Sequence, residues 1–329
     1  MNKLVIFLLL IFMSLFQPQT IFASPSPLTV EVSRLTSGFY REDWPMIYKD
    51  TVYWSTGAEI YGLNIKNNES VLLTQVGLGL PSDYFAPTAY DGRFLIYNTY
   101  TVERGYNVEA YDFVKNNIIK ITDEVGSNTA TDYDQNIVAY VKGGACGSLY
   151  AYDLIKKTNI LVTNAVCGPA RISKKIIVWN ETAAGGTNVY GYDLRRKQKF
   201  DIATGNGFQE SPDIYNNLVV YTQYADGSNK FGLYYKDLNK GTITKIEESS
   251  DYSFSWPSIG NRYIVWGKNT APHVAGIEGY SLKSGEVFEI QAQGPHQNGN
   301  MSPIIDHNIA AWMAWRTGNG DIYRALIGH

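Results

Sequence analysis

The side chains best suited to chemistry are scarce and scattered. His273, His296, His307 and His329 are the only histidines, and Cys146 and Cys167 the only cysteines, among 329 residues. His307 sits in the turn Asp306-His307-Asn308 and His329 is the last residue, which leaves His273 and His296, at no metal-ligand spacing. The sequence contains no Gly-x-Ser-x-Gly elbow, no phosphate-cradling Gly-x-x-x-x-Gly-Lys loop and no His-Glu-x-x-His pair. The loops Asp226-Gly-Ser-Asn229 and Gly318-Asn-Gly-Asp321 hold oxygen donors but not a complete calcium-loop pattern. No metal and no cofactor is expected, so any chemistry falls to carboxylates, arginines and aromatic faces.

The most regular carboxylates belong to the scaffold. Asp112, Asp153, Asp193 and Asp237 each end a short aromatic-rich run, and Asn64 and Ser281 hold the same place in two further copies. Each of these side chains can accept a local backbone hydrogen bond, so a residue recurring once per copy sets a turn rather than a reaction.

Those copies define the elements that must position everything else. Ser211–Tyr221 reads as strand, tight Asn216-Asn217 turn and buried strand; Phe231–Leu238 is a third strand, and Thr242–Glu247 a fourth after a Lys240-Gly241 turn. Aligned on the aromatic closing the second strand (Trp54, Tyr97, Tyr140, Trp179, Tyr221, Trp266, Trp312), the copies recur at 43, 43, 39, 42, 45 and 46 residues. Four strands cannot bury two faces alone, and this period is that of a β-propeller blade. The expected fold is all-β, a seven-bladed β-propeller with four-stranded antiparallel blades, one domain over residues 24–329. Pro45, Pro87, Pro169, Pro212, Pro257 and Pro303 are expected to precede the first strand of their copies, with Ala130 in that place in the third. Residues 28–37 resemble a fourth strand, the last copy stops after its third, and the N-terminal strand is expected to close the ring.

Non-recurring residues on the rim carrying the loops between strands two and three and the links between copies are the candidates for binding. Uneven segments there run from Tyr97 to Asn107, Asn180 to Thr187, Thr222 to Lys230 and Gly267 to Gly276. The candidates are Tyr40, Arg41, Tyr84, Phe85, Arg104, Phe208, Tyr252, Phe254, His273, His296, Trp315 and Arg316, whose aromatic faces and polar groups suit a sugar or a peptide. Trp44 and Trp256 stand directly before a proline and are expected to be buried. The function read from this is non-catalytic binding of a protein or carbohydrate ligand. The alternative is a carbohydrate-active enzyme, a polysaccharide lyase or glycoside hydrolase, using Glu103, Arg104, Asp251, His273, His296 and Arg316 if they converge.

Residues 1–23 have a basic start, an apolar run from Leu4 to Phe16 and a small residue at Ala23, the pattern of a secretory signal peptide too short to span a membrane. The protein is expected to be secreted, without a membrane anchor once that segment is removed, and monomeric. With 28 basic against 31 acidic residues, nucleic acid is not an expected partner. Cys146, in the loop between strands two and three of the third copy, and Cys167, in the link to the fourth, fall on the same rim. In an exported protein they are expected to form a disulfide.

The texture of Pro-led first strands, Val-Val-Tyr or Val-Trp second strands and segments such as Tyr150-Ala-Tyr152-Asp153-Leu154 and Tyr190-Gly-Tyr192-Asp193-Leu194 resembles the propeller repeats of TolB and related microbial surface proteins. The resemblance covers about residues 28–329. It implies a propeller scaffold, used in that family mainly for binding and occasionally for catalysis.

Overall fold

Strand two of each copy is a nearly continuous apolar run, as in Phe94–Thr101 and Ile137–Lys142, and its residues are buried on both faces. The computed structural model describes residues 28–36, 43–56, 59–74, 84–144, 146–224, 227, 229–271, 274–291, 300–315 and 320–328. Val30–Ile327 form one compact unit. The other unit, Met1–Thr29 with Gly328–His329, enters the described residues at Leu28, Thr29 and Gly328.

All regular elements among the described residues are β-strands. Strand β1 is Thr29–Arg34. The first group comprises β2 (Asp43–Tyr48), β3 (Thr51–Ser55), β4 (Ile60–Asn64) and β5 (Ser70–Thr74). The second is β6 (Tyr84–Tyr90), β7 (Phe94–Thr101), β8 (Gly105–Asp112) and β9 (Asn117–Lys120). The third is β10 (Gly126–Asp134), β11 (Ile137–Lys142), β12 (Cys146–Asp153) and β13 (Thr158–Cys167). The fourth is β14 (Arg171–Ser173), β15 (Ile176–Ala183), β16 (Gly186–Asp193) and β17 (Gln198–Ala203). The fifth is β18 (Gly207–Tyr215), β19 (Leu218–Tyr224), β20 (Phe231–Asp237) and β21 (Ile243–Ser249). The sixth is β22 (Ser253–Ile259), β23 (Tyr263–Ala271), β24 (Val274–Ser281) and β25 (Val287–Gln291). The last contains β26 (Asn300–Asp306), β27 (Ile309–Trp315) and β28 (Gly320–Gly328), and β1 completes it by pairing with β28.

Hydrophobic clusters form between consecutive groups rather than within them. Phe94, Ile96 and Val108 of the second group pack on Val138 and Tyr140 of the third, and Val52 of the first packs with Ile309 and Ile322 of the last. At the end of strand two, Trp179, Trp266, Trp312, Tyr97 and Tyr221 are among the largest fully buried side chains. In five groups this aromatic faces a strand-three tyrosine, with ring centroids 5.3 Å apart for Tyr140–Tyr150 and 5.8 Å for Tyr221–Tyr234. Two groups depart from that pairing: Tyr97 faces Glu109 and Trp266 faces Glu278.

The recurring carboxylates are turn-setters, as expected. Asp153 Oδ1 accepts from the backbone N–H groups of Ile155 at 3.0 Å and Lys156 at 2.9 Å; Asp237 does the same for Asn239 and Lys240.

Three local expectations are corrected. Most of the prolines lie inside strand one rather than before it, at a β-bulge: the register shifts between Glu210 and Asp213, Ser255 and Ser258, and Met301 and Ile304. Ser211, Trp256 and Ser302, each preceding its proline, have φ of 51°, 48° and 49°. The bulge leaves a ladder gap that a donor-less residue can occupy, and it turns the preceding side chain outward. Trp256 is consequently 45% exposed instead of buried. Finally, several of the uneven rim segments are zipped hairpins. Pairing continues to Thr101↔Gly105, Ala183↔Gly186 and Ala271↔Val274, which satisfies the backbone by extending the ladder.

The rim also stitches groups together. β10 pairs in parallel with β8 at Gly126↔Gly105, β16 with β18 at Gly186↔Gly207, and β13 reaches β15 at Val166↔Glu181. A Cβ on Gly186 would lie 1.8 Å from the Gly207 carbonyl oxygen, so this approach requires glycine. Cys146 and Cys167 form a disulfide with Cα atoms 4.1 Å apart. They are not loop residues: they are the paired terminal positions of β12 and β13, Cys146↔Cys167.

Along the bulged strands a charged row joins the third to sixth groups. Asp132 Oδ2 accepts from Ile172 N–H at 2.8 Å, Asp213 Oδ2 from Ile259 N–H at 2.9 Å, and Arg171 donates to the Thr131 carbonyl at 2.9 Å between them. Burial pushes the Asp132 carboxyl up from 3.8 to about 6, against the opposing pull of Arg171.

Two outcomes follow from this architecture. Deleting β1, Thr29–Arg34, exposes the β28 edge, and the shortened chain should aggregate in light scattering where the undeleted chain does not. The folded state binds the Asp132 proton more tightly than the unfolded chain does. Its contribution to stability therefore falls as pH rises from about 4 to about 6. Asp132→Asn retains an acceptor for Ile172, so its Tm should exceed the native value at pH 7 and approach it near pH 4. An equal Tm difference at both pH values would refute the role of burial.

Candidate functional site

Three neighbouring strands of the fifth group end at the rim with aromatic residues in cross-strand register, Phe208↔Tyr224 and Tyr224↔Phe231. The ring centroids are 6.4 Å and 4.9 Å apart, so the three form one continuous row. Phe208, at the strand-one end, is 44% exposed. At the strand-three end, Phe231 lines a cleft of about 330 Å³ together with Asp251, Tyr252, Asn269 and Thr270. Ser250 and Ser253 complete the lining. The lining thus comes from β20, from the link between the fifth and sixth groups, from the start of β22 and from the extended β23.

Tyr252 is held from three sides. Its hydroxyl donates to Glu247, Lys268 Nζ lies 4.0 Å from the ring centroid, and Phe254 meets it edge-on at 5.6 Å. Lys268 in turn donates to Glu278 Oε1 at 2.7 Å. Burial, which alone would lower the Lys268 ammonium, is outweighed by Glu278, and the group sits above its ordinary value. Burial also pushes the Glu278 carboxyl up despite that lysine, and the nearby Glu247 charge adds to the shift. Glu278 is one of the two carboxylates standing where five groups have tyrosine.

At the lip, Ser250 Oγ donates to Asp251 Oδ1 at 3.1 Å, and the Asp251 N–H donates to Ser249 Oγ at 3.0 Å, which fixes the carboxylate. The arrangement offers stacking faces, hydroxyls, an amide and a carboxylate to a polar ligand that has a flat apolar side.

Of the residues singled out in the sequence, Phe208 and Tyr252 are connected here, through Tyr224 and Phe231. Phe254 is 7% exposed and belongs to the core beneath, so its ring supports Tyr252 instead of meeting a ligand. Arg104 is paired with Asp123 at the tip of the β7–β8 hairpin, in the second group. Tyr84, Phe85 and Trp315 lie in β6 and β27, where the backbone alone is described. Tyr40, Arg41, His273, His296 and Arg316 lie outside the described residues. Sequence reasoning missed Tyr224, Phe231, Asn269, Lys268 and Glu278. The Trp266–Glu278 mismatch was the signal for the last, because a carboxylate replaces the ring that would stack there.

No family model matches the chain. Purine nucleoside phosphorylase of Plasmodium falciparum is 32% identical over 89 residues, 27% of this chain; the chain spans 36% of the length of that relative. Among solved structures, the β-propeller domain of the Trilobed protease from Pyrococcus furiosus has a TM-score of 0.65 at 12% identity, over 87% of this chain and 95% of that one. An oligogalacturonate lyase from Vibrio parahaemolyticus has a TM-score of 0.62 at 12% identity, over 91% and 96%. TolB from Acinetobacter baumannii has 0.50 at 12%, over 92% and 79%. Identities this low speak for the fold alone, and the fold is a β-propeller, shared with TolB.

Glu278→Ala would leave the partly buried Lys268 without its carboxylate. It should lower the unfolding free energy by about 2 kcal/mol in urea titrations, whereas Asp251→Asn at the lip should change it by less than about 0.5 kcal/mol. A negligible loss for Glu278→Ala would mean that water already solvates the pair.

Proposed function

We propose that this protein is an exported, non-catalytic β-propeller that holds a glycan on the rim where its fifth and sixth blades meet. The observation that carries the reading is the row Phe208–Tyr224–Phe231 running into a cleft lined by hydroxyls, an amide and a carboxylate. Sugar rings have flat C–H faces for aromatic stacking and a periphery of hydroxyls for polar side chains, so one surface of this kind meets both needs. Tyr84 and Trp315 are candidates to extend it around the rim.

On this reading the groups form seven blades closed into a ring, with β1 supplying the outer strand of the last blade. The pairing of β1 with β28 and the packing of Val52 against Ile309 support that closure. Residues 1–23 direct export and are removed, and the Cys146–Cys167 bond suits an oxidising compartment. The mature chain acts as a monomer.

The test is a glycan array probed with the mature protein, followed by a search for product with every hit. Retention of a glycan without turnover is the expected result. Phe231→Ala or Phe208→Ala should weaken retention about fivefold, the scale of one lost stacking contact. Release of shortened or unsaturated sugars would instead establish the lyase or hydrolase alternative, and a blank array would overturn the glycan assignment.

A further inference from the structure

Charges under the cleft do not balance. Lys268 donates to Glu278 at 2.7 Å and covers one face of Tyr252, whose hydroxyl is bound by Glu247. Glu247 Oε2 is buried with no hydrogen-bond partner. Among the described residues, one ammonium therefore stands against two carboxylates, and Asp251 adds a third at the lip. Lys230, just before β20, and Lys245, in β21, pair with Glu248 at 3.3 Å and 3.6 Å.

Polar groups of fixed orientation present acceptors as well. Asn269 Nδ2 gives one of its two N–H groups to Ser255 Oγ at 3.0 Å, which orients the amide and leaves its carbonyl oxygen able to accept. Asp251 is held in place by Ser250 and Ser249 and can only accept while ionised. The π face of Phe231 attracts positive charge as well.

Resting on the glycan reading above, we infer that the cleft selects a glycan with free amino groups, a 2-amino-2-deoxy sugar carrying a protonated nitrogen, over its N-acetylated form. A protonated amine brings three N–H donors and one positive charge to a site rich in acceptors and negative charge. The acetamide brings a carbonyl acceptor and no charge, so the same site disfavours it.

Isothermal titration at pH 6 and low salt, with the hexamers of β-1,4-linked glucosamine and N-acetylglucosamine, tests this on the mature protein. The glucosamine hexamer should bind about tenfold more tightly, the combined scale of one exposed ion pair and one cation–π contact. Asp251→Asn should reduce that advantage about threefold, and roughly 0.5 M salt should erode it further. Equal binding, or tighter binding of the acetylated hexamer, overturns the charge selection and leaves the glycan reading standing. Binding of neither hexamer also overturns it, and the array then decides the wider reading separately. If hexalysine binds as tightly as the glucosamine hexamer, the sugar specificity is wrong and the cleft recognises cationic charge alone.

Discussion

Each four-stranded sheet here has two apolar faces, and neither can be covered from within the sheet. Everything else in the structure follows from that constraint. The clusters joining Phe94 to Val138, or Val220 to Trp266, bury the face of one group against the next. The aromatic at the end of strand two is the fixed point of this packing, buried and in most groups stacked on a tyrosine of strand three. With the interior of each sheet committed to its neighbours, variation is confined to the rim and to positions where the stacking pair is broken.

The two broken pairs place a carboxylate beside a buried ring. At Tyr97 the cost is offset locally, since its hydroxyl donates to Glu109 at 3.0 Å. At Trp266 the replacement, Glu278, is drawn into a set with Lys268, Glu247 and Tyr252 directly under the cleft. A half-buried carboxylate that displaces a stacking ring gains little for packing, and here it sets the charge beneath the cleft instead. The bulged first strands do comparable work between groups. Their Asp132, Arg171 and Asp213 side chains reach across to the backbone of an adjacent group, which ties neighbours together by polar contacts as well as by apolar ones.

The rim is built by the same strands that build the interior. Strands two and three run on past the core as hairpins, and glycines at Gly105, Gly126, Gly186 and Gly207 allow parallel bridges between neighbouring groups. The Cys146–Cys167 bond closes the end of the antiparallel β12–β13 ladder within the third group. A rim made of strand ends instead of loose loops is ordered before anything meets it.

The sequence by itself determined the period, the four strands of each group, the turn-setting role of Asp112, Asp153, Asp193 and Asp237, the partnership of the two cysteines, and the presence of non-recurring aromatics at Phe208 and Tyr252. All of these rest on local rules: alternation, turn chemistry and recurrence at fixed spacing. Tertiary structure alone decided that the prolines sit in bulges, that Trp256 faces outward while Phe254 is buried, and that the row from Phe208 through Tyr224 to Phe231 ends at the cleft that Tyr252 also lines. It also decided that Lys268, Glu247 and Glu278 meet beneath the cleft. Those facts depend on which strand ends lie side by side and where a ladder slips by a residue. A one-residue slip reverses the direction of a side chain, and no local pattern in the chain records it.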